Sequence, residues 1–199
     1  MPDMLILASG SPIRRALLER AGIAVTVETM PVDEAEIREG FAAEGAPVED
    51  CAIALAELKA MRVSSRRPGS LVIGADQILE CEGIWFEKPA GRAEARAQLQ
   101  RLRGRSHRLV SGCTVLRDGQ RIWHIVDEAT LRMRDLSEGF IEDYLDRAGD
   151  AVMGSVGAYQ LEGLGAQLFD RVEGDFFTVL GLPLLPLLGF LRGRGVIGR

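Results

Sequence analysis

The chain has 199 residues, 47% hydrophobic and 27% charged, which is the composition of an ordinary soluble protein with enough length for a substantial core. The net charge of −5 argues against a general nucleic-acid binder, although a local basic pocket stays open. Three widely spaced cysteines without a C-x-x-C pair argue against a disulfide framework or a zinc site. The apolar stretch at 180–191 is too short to cross a bilayer, and no signal peptide is evident. We therefore expect a cytoplasmic protein without membrane contact.

The first predicted elements are a strand at residues 4–8 and a helix that begins at Pro12. The strand is a short apolar run, as in a sheet covered on both faces, and three small residues follow it as a turn. Proline suits the first position of a helix, with Ser11 as the cap. Arg14 and Arg15 add two charges to the positive end of this helix, which predicts a phosphate site. A capped surface helix with two solvated arginines is the alternative.

The later elements alternate between strands and helices. We predict strands at 24–28, 71–75, 84–86, 107–116 and 122–133, and helices at 47–63, 91–102, 137–145 and from Pro183 onward. Residues 31–34 are predicted to be a polar connection, and Asp118-Gly119 is a hairpin turn signal. This order predicts an α/β fold with a mixed twisted sheet and flanking helices. The order is compatible with a single domain over 1–199 that has two lobes and a cleft, and no linker marks a boundary.

Asp76 directly follows a buried apolar run at 71–75. An ionised carboxylate is costly to bury without a partner. We therefore expect the strand to end at Asp76, which places this side chain at the mouth of the sheet beside a cation or a metal, where ligands bind in open α/β folds. A capping or turn aspartate is the alternative.

Two lysines also stand in unusual surroundings. Lys59 shares a predicted helix face with Ala52 and Leu55, so it either extends out of the edge of the core or reaches into a cleft. Lys88 precedes Pro89, which favours an extended backbone, although a solvated turn lysine is the default interpretation.

Acidic residues provide candidate metal ligands. Asp33 and Glu34 can bind Mg²⁺ together with Asp76, because this hard cation prefers oxygen ligands, but a solvated acidic turn is equally common. In the glycine-rich run at 157–165, Glu162 offers a hydrogen-bond acceptor near a ligand, on evidence that is weak by itself.

Tyr159, in the same glycine-rich run, offers a stacking face to that ligand on the same weak evidence. His107 and His124 have no nucleophile motif nearby, and we expect them to be ordinary strand residues.

In this order, these segments resemble the Maf family of nucleotide pyrophosphatases over nearly the whole chain. The matching motifs are L-I-L-A-S-G-S-P-I-R-R-A-L-L at 5–18, V-D-E at 32–34, L-A-E-L-K-A at 55–60, V-I-G-A-D-Q at 72–77, E-K-P at 87–89, G-A-Y-Q-L-E-G-L-G at 157–165 and E-G-D-F-F-T-V-L-G-L-P at 173–183.

The resemblance implies a mixed α/β fold with two lobes around a deep cleft. It also implies a house-cleaning hydrolase that converts a nucleoside triphosphate to the monophosphate and pyrophosphate with Mg²⁺ or Mn²⁺. It implies catalytic roles for Asp76, Lys59, Lys88 and Glu34, metal binding by Glu34 and Asp76, and substrate binding by Ser9, Arg14, Ile13, Gln77 and Glu162. The lysines and Arg14 would neutralise phosphate charge. Because an aspartate is a weak base at neutral pH, we favour Asp76 as a metal ligand that positions the attacking water.

Three positions separate this chain from the family branch that acts on dTTP and UTP. That branch opens its first motif with S-P-R-R, follows the aspartate with threonine and carries glutamine in the late loop. Here Ile13 stands between the proline and the arginines, Gln77 follows the aspartate, and Glu162 stands in the late loop. These departures resemble the branch that prefers 7-methyl-GTP, whereas Thr178 stands where the family often has asparagine.

Two other functions remain as alternatives. A nucleotide-binding regulator of septum formation or cell division would need the phosphate site but no hydrolysis. A sugar-nucleotide transferase fits less well, since those enzymes are commonly larger and have a second acceptor site. The expected partner is a nucleoside triphosphate rather than a nucleic acid, and a homodimer is the expected assembly.

Overall fold

The structure is a computed structural model that describes residues 4–198, and it has α/β architecture. The strands are β1 (Leu5–Leu7), β2 (Thr26–Val27), β3 (Leu71–Cys81), β4 (Ile84–Phe86), β5 (Ser106–Arg117), β6 (Gln120–Met133) and β7 (Phe169–Glu173). The α-helices are α1 (Pro12–Arg20), α2 (Glu34–Ala43), α3 (Val48–Ser64), α4 (Arg92–Leu102), α5 (Glu138–Ala148), α6 (Phe176–Val179) and α7 (Leu184–Gly193). Short 3-10 helices span Gly149–Gly154, Val156–Ala158 and Leu164–Leu168. No described helix has the length and apolar character needed to span a membrane.

The strands form a mixed sheet in the order β2-β1-β3-β5-β6-β7, with β4 paired to β3 off this path. Strand β1 pairs in parallel with both β2 and β3. Strand β4 runs antiparallel to β3, and β7 runs antiparallel to β6. The predicted α/β class with a mixed sheet and flanking helices is confirmed.

The chain divides into two compact units. The first contains the described chain up to Gln77, Val110–Asp127 and the chain from Phe176 onward. The second contains Ile78–Leu109 and Glu128–Asp175. Strands β3, β5 and β6 contribute residues to both. Two units agree with the two predicted lobes, and the cleft stays a prediction.

The core of the first unit has two layers, because successive side chains of a strand point to opposite faces of the sheet. One layer joins alternate residues of β1 and β3 to α1 and α7, and it contains Leu5, Leu7, Leu17, Leu18, Ile23, Leu71, Ile73, Ala75, Cys113, Val115, Leu182, Leu184, Leu187 and Leu191. The other layer joins the intervening residues to α3, and it contains Ile6, Ala8, Ala60, Val63, Val72 and Leu116.

Helix α3 lies close against the sheet of this unit because glycines face it. A Cβ atom added at Gly74 would lie 2.0 Å from the carbonyl oxygen of Ala56, and one at Gly112 would lie 2.6 Å from that of Ala52. Both distances are far below a van der Waals contact, so these two positions need glycine. The close contact fixes the helix, and with it Lys59, over β3.

The structure corrects the prediction that a strand ends at Asp76. Strand β3 continues to Cys81, and Asp76 lies inside it with 3% of its surface exposed. The carboxylate of Asp76 contacts two cationic side chains, Lys59 and Arg38, which compensate its charge inside the protein. The strand therefore does not have to end at Asp76 to let the carboxylate reach water.

The sequence analysis missed α2, β7, α6 and the three short 3-10 helices. Helix α2 occupies the region that follows the predicted polar connection, and it begins where the Asp33 side chain accepts a hydrogen bond from the Glu36 N–H. None of its residues is fully buried, and its larger apolar residues are limited to Ile37 and Phe41, so its helical pattern is weak. Strand β7 is short, mostly exposed and at the edge of the sheet, in a stretch where no element is predicted from the sequence.

The predicted hairpin is confirmed. Asp118 and Gly119 both have positive φ, 51° and 76°, as the tight two-residue turn between β5 and β6 requires.

Candidate functional site

Four charged side chains of the first unit form a closed set, which we call the charge ring: Glu34, Arg38, Lys59 and Asp76. Lys59 Nζ lies 2.7 Å from Asp76 Oδ1 and 2.8 Å from Glu34 Oε1. Arg38 Nη2 lies 3.2 Å from Asp76 Oδ2 and 3.6 Å from Glu34 Oε2. Each carboxylate therefore faces Lys59 with one oxygen and Arg38 with the other.

Three elements position the charge ring. Asp76 has the same parity along β3 as Val72 and Gly74, so its side chain lies on the face of the sheet that α3 covers. Lys59 belongs to α3, and its side chain extends to that face of the sheet, where it contacts Asp76. Glu34 is the first residue of α2, and Arg38 follows it by one helical turn.

The side chains of the charge ring are largely buried, so each charge needs an opposite charge close to it. The Asp76 side chain is 5% exposed, those of Lys59 and Arg38 are 14% and 15% exposed, and that of Glu34 is 40% exposed. Two carboxylates and two cations sum to zero formal charge, so no charge in the ring is left uncompensated. One donor is unsatisfied, since Arg38 Nε is buried without a hydrogen-bond partner among the described residues.

The turn after β1 is organised by Arg14, whose side chain is turned inward. Its Nε donates to the carbonyl of Gly181 at 2.7 Å, and its Nη1 donates to the carbonyl of Ala75 at 2.8 Å and to Ser9 Oγ at 3.0 Å. Burial lowers the pKa of Arg14, an effect that the Asp76 charge opposes. Within the described chain, its Nη2 makes no hydrogen bond.

The remaining residues of the predicted phosphate site lie on α1. Ser11 is the N-cap residue and Pro12 opens the helix, as predicted, but the Ser11 side chain makes no capping hydrogen bond. Ile13 is half-buried. Arg15 points to solvent and pairs with Glu19 at 2.7 Å. The N–H groups of the first turn are thus left without a side-chain acceptor at the cap.

Gln77 lies on the opposite face of β3 from Asp76, since neighbouring residues of a strand alternate. Its Nε2 donates to Ser111 Oγ at 3.0 Å and to the carbonyls of Thr178 and Val179 at 2.9 and 3.2 Å. Thr178 Oγ1 contacts Asp127 Oδ2 at 2.6 Å. The amide nitrogen of Gln77 is therefore committed to holding α6, and its Oε1 accepts no hydrogen bond within residues 4–198.

In the second unit, Lys88 is exposed directly after β4 and forms no ion pair in the part of the chain that the structure describes. The preceding residue is held by Gln98 of α4, whose Nε2 donates to the Glu87 carbonyl at 2.9 Å. The same amide accepts the Gly157 N–H at 3.1 Å through its Oε1. Gln98 thus links the E-K-P segment to the late glycine-rich loop. Glu162 is exposed in a turn of that loop.

His107, predicted to be an ordinary strand residue, lies in a buried aromatic cluster of the second unit. Its Nε2 is 2.7 Å from the hydroxyl of Tyr159, and its ring lies near the ring of Phe169. Burial lowers the pKa of His107 to about 4 and raises that of Tyr144, whose hydroxyl donates to the Ala158 carbonyl, to about 12. The late loop is therefore held by buried hydrogen bonds at Tyr159 and at the Ala158 carbonyl.

Arg38, Ser111 and Gln98 were missed by the sequence analysis. A signal existed for the first, since the D-x-x-E pattern at Asp33 predicts a helix start and places Arg38 four residues after Glu34. Nothing local indicates Ser111 or Gln98, because their partners are distant in sequence.

The charge ring also contains carboxylate oxygens that can act as ligands of a divalent cation. Among the described residues, no three His, Cys, Asp or Glu side chains cluster as a metal site. Asp33, an expected contributor, uses its carboxylate to cap α2. Glu34 and Asp76 remain, and a pair of carboxylates completed by substrate phosphates fits the way Mg²⁺ is commonly bound.

Similarity to known proteins extends over nearly all of the chain. Residues 4–194 match the family model described as Maf-like protein. A nucleoside triphosphate pyrophosphatase of Paramagnetospirillum magneticum is 58% identical over 96% of this chain and 98% of its own length. A nucleoside triphosphate pyrophosphatase of Granulibacter bethesdensis is 53% identical over 94% of this chain and 95% of its own. A 7-methyl-GTP pyrophosphatase of Brucella abortus is 48% identical over 96% of each chain.

Among solved structures, a nucleoside-triphosphatase / dITP/XTP pyrophosphatase of Mycobacterium abscessus aligns with a TM-score of 0.43 and 18% identity over 97% of this chain and 95% of its own. The family model spans all the motifs that resembled the Maf family, including those that supply the charge ring. With this match and relatives above 50% identity, the chain belongs to the Maf-like protein family.

Proposed function

We propose that this protein is a nucleoside triphosphate pyrophosphatase, which hydrolyses its substrate to the nucleoside monophosphate and pyrophosphate. The observation that supports this most is the charge ring, in which a buried strand carboxylate, Asp76, lies 2.7 Å from the ammonium of Lys59. Hydrolysis of a phosphoanhydride needs a group that orients water and a cation beside the leaving phosphates. Asp76 and Lys59 provide this pair of groups, and the names of the relatives agree with this activity.

In the proposed reaction, the oxygen of a water molecule bonds to the α-phosphorus while the bond from that phosphorus to the α–β bridging oxygen breaks. Asp76 positions the water for attack, and the proton that the water loses passes to solvent. Lys59 stabilises the negative charge that develops on the departing pyrophosphate. A merely nucleotide-binding regulator would not need this arrangement.

The turn around Ser9 and Arg14 is the proposed phosphate-binding element. The first-turn N–H groups of α1 are not capped by a side chain, and they favour a negatively charged ligand. Arg14 already uses Nε and Nη1 internally, so Nη2 is the group that it would offer to a phosphate oxygen.

A divalent cation, Mg²⁺ or Mn²⁺, belongs to this proposal. Glu34 and Asp76 would hold it together with phosphate oxygens, and it would supply charge neutralisation and a more acidic bound water. Lys88, in the second unit, is proposed as a further catalytic cation on the family resemblance alone.

The substrate is proposed to be a guanine-type nucleotide, with 7-methyl-GTP as the leading candidate. Ile13, Gln77 and Glu162 follow the 7-methyl-GTP branch, and a relative carries that name. A glutamate can accept the N–H donors of guanine, and a mismatched base would leave polar groups unpaired. Gln77 would contribute Oε1, because its Nε2 is occupied.

The test is release of pyrophosphate from a panel of GTP, 7-methyl-GTP, ATP, dTTP and UTP. We expect pyrophosphate from all active substrates and the highest kcat/KM with 7-methyl-GTP. The double variant Gln77→Thr with Glu162→Gln should shift the preference toward the pyrimidines. Equal efficiency of the wild-type protein on dTTP or UTP would reject the base assignment alone. Tight nucleotide binding without pyrophosphate release would instead support the regulator.

A further inference from the structure

Arg38 contacts the carboxylate oxygens that a divalent cation would need. Lys59 lies against Asp76 Oδ1 and Glu34 Oε1, which leaves Asp76 Oδ2 and Glu34 Oε2 as the other oxygen of each carboxylate. Both of these face Arg38 Nη2, at 3.2 and 3.6 Å. A cation that bridges the two carboxylates on this side must take the place of the guanidinium.

The two cationic side chains of the ring are not held equally. Lys59 makes the shorter contacts, and its helix α3 lies tight against the sheet at Gly74 and Gly112. Arg38 makes the longer contacts and projects from α2, which has no fully buried residue. Segments with few buried contacts move at the lowest cost in free energy.

Arg38 also has a donor without a hydrogen-bond partner within residues 4–198, which makes its guanidinium easier for a divalent cation to displace. Its Nε is buried and has no hydrogen-bond partner among the described residues. A buried N–H donor without a hydrogen-bond partner costs free energy, so movement of the guanidinium toward solvent would let Nε donate to water again. The ammonium of Lys59, by contrast, has two close partners, Asp76 Oδ1 at 2.7 Å and Glu34 Oε1 at 2.8 Å.

We propose that Arg38 is an internal counter-ion that competes with the divalent cation for Asp76 and Glu34. This inference rests on the proposed function, since it concerns the metal of that reaction. In the absence of metal, Arg38 keeps the two carboxylates neutralised and in place. When a metal-bound triphosphate enters, Arg38 withdraws from both oxygens, and Lys59 stays. Arg38 therefore lowers the affinity of the free protein for metal and acts as a positioning residue for the two carboxylates.

The test measures Mn²⁺ binding to the nucleotide-free, full-length protein by the loss of the free Mn²⁺ signal in electron paramagnetic resonance. Arg38→Gln should bind Mn²⁺ about tenfold more tightly than the wild type, the scale of one lost competing charge-assisted contact. Arg38→Lys, which keeps the charge, should fall between the two. The matched control is Arg121→Gln. Arg121 forms an ion pair with Glu57 of α3, with 2.7 Å between Nη1 and Oε2, and neither residue belongs to the charge ring.

Adding Asp76→Asn to Arg38→Gln should abolish the gain in affinity, which would place the Mn²⁺ at the ring. Equal Mn²⁺ affinity of Arg38→Gln and the wild type, including no detectable binding to either, would overturn the proposal. So would a gain that survives Asp76→Asn, or an equal gain in Arg121→Gln. Pyrophosphate release by the wild type is measured separately, so a failure of the proposed function is distinguishable from a failure of this competition.

Discussion

At the scale of single residues, the most consequential group is the carboxylate of Asp76, which is almost completely buried between Lys59 and Arg38. Asp76→Asn keeps the size of the side chain and removes the charge that orients water. We expect kcat to fall by about 10²–10⁴-fold, the range for a positioned proton-transfer group, while nucleotide binding is retained. Steady-state kinetics and titration calorimetry measure the two effects.

The control for this variant is Asp143→Asn. Asp143 is exposed, and its ion pair within residues 4–198 is with Arg147 of the same helix, α5, at 3.4 Å, so kcat should not change. A wild-type kcat in Asp76→Asn would show that Asp76 is not the carboxylate of the reaction.

His107 gives a prediction about stability and pH. Its pKa is about 4 in the folded protein because burial disfavours the charged ring, against 6.5 for an unperturbed histidine. Between these values the unfolded chain binds a proton that the folded chain does not. The stability that the neutral ring contributes is therefore complete above pH 6.5 and is lost as the pH falls toward 4, by about 2 kcal/mol at pH 5.

Urea unfolding at pH 7 and pH 5 measures this loss. In His107→Gln, which keeps a polar partner for Tyr159 but does not titrate, the difference between the two pH values should shrink by about 2 kcal/mol. An unchanged difference would mean that His107 is not the group responsible.

At the scale of elements, the close contact between α3 and β3 is the feature on which the ring depends. Gly74→Ala would place a methyl group 2.0 Å from the Ala56 carbonyl oxygen, so the helix must move. We expect a loss of about 3 kcal/mol in the free energy of unfolding, as for severe overpacking, and a fall in kcat because Lys59 moves with α3.

The matched control is Gly40→Ala. Gly40 lies inside α2 with open space around it, so alanine should stabilise the helix by about 0.5–1 kcal/mol. If Gly74→Ala unfolds at the same urea concentration as the wild type, the contact is looser than the structure indicates.

Elements with a strong local signal were predicted from the sequence, and those without one were not. Helix α3 has a buried face and β5–β6 has a positive-φ turn, and both were predicted. Helix α2 buries no residue fully, and its start is fixed by a single side-chain hydrogen bond from Asp33, so its pattern was too weak. The end of β3 was predicted wrongly because the cations that compensate Asp76 come from other elements.

At the scale of the whole molecule, the sequence identified most of the charge ring and none of the contacts made by Arg14. The resemblance to a family supplied Glu34, Lys59 and Asp76, since each stands in a recognisable motif. The hydrogen bond from Arg14 to the Gly181 carbonyl joins residues 167 positions apart, and no local pattern encodes such a pair. The roles of Lys88 and Glu162 in the second unit, the cytoplasmic location and a homodimer stay predictions.

The central claim, that water attacks the α-phosphorus of a nucleoside triphosphate, is tested most directly by hydrolysis in ¹⁸O-labelled water with mass spectrometry of the products. Because the new bond forms at the α-phosphorus, the label should appear in the nucleoside monophosphate, and the pyrophosphate should stay unlabelled. A labelled pyrophosphate with an unlabelled monophosphate, or release of inorganic phosphate with a nucleoside diphosphate, would contradict the account.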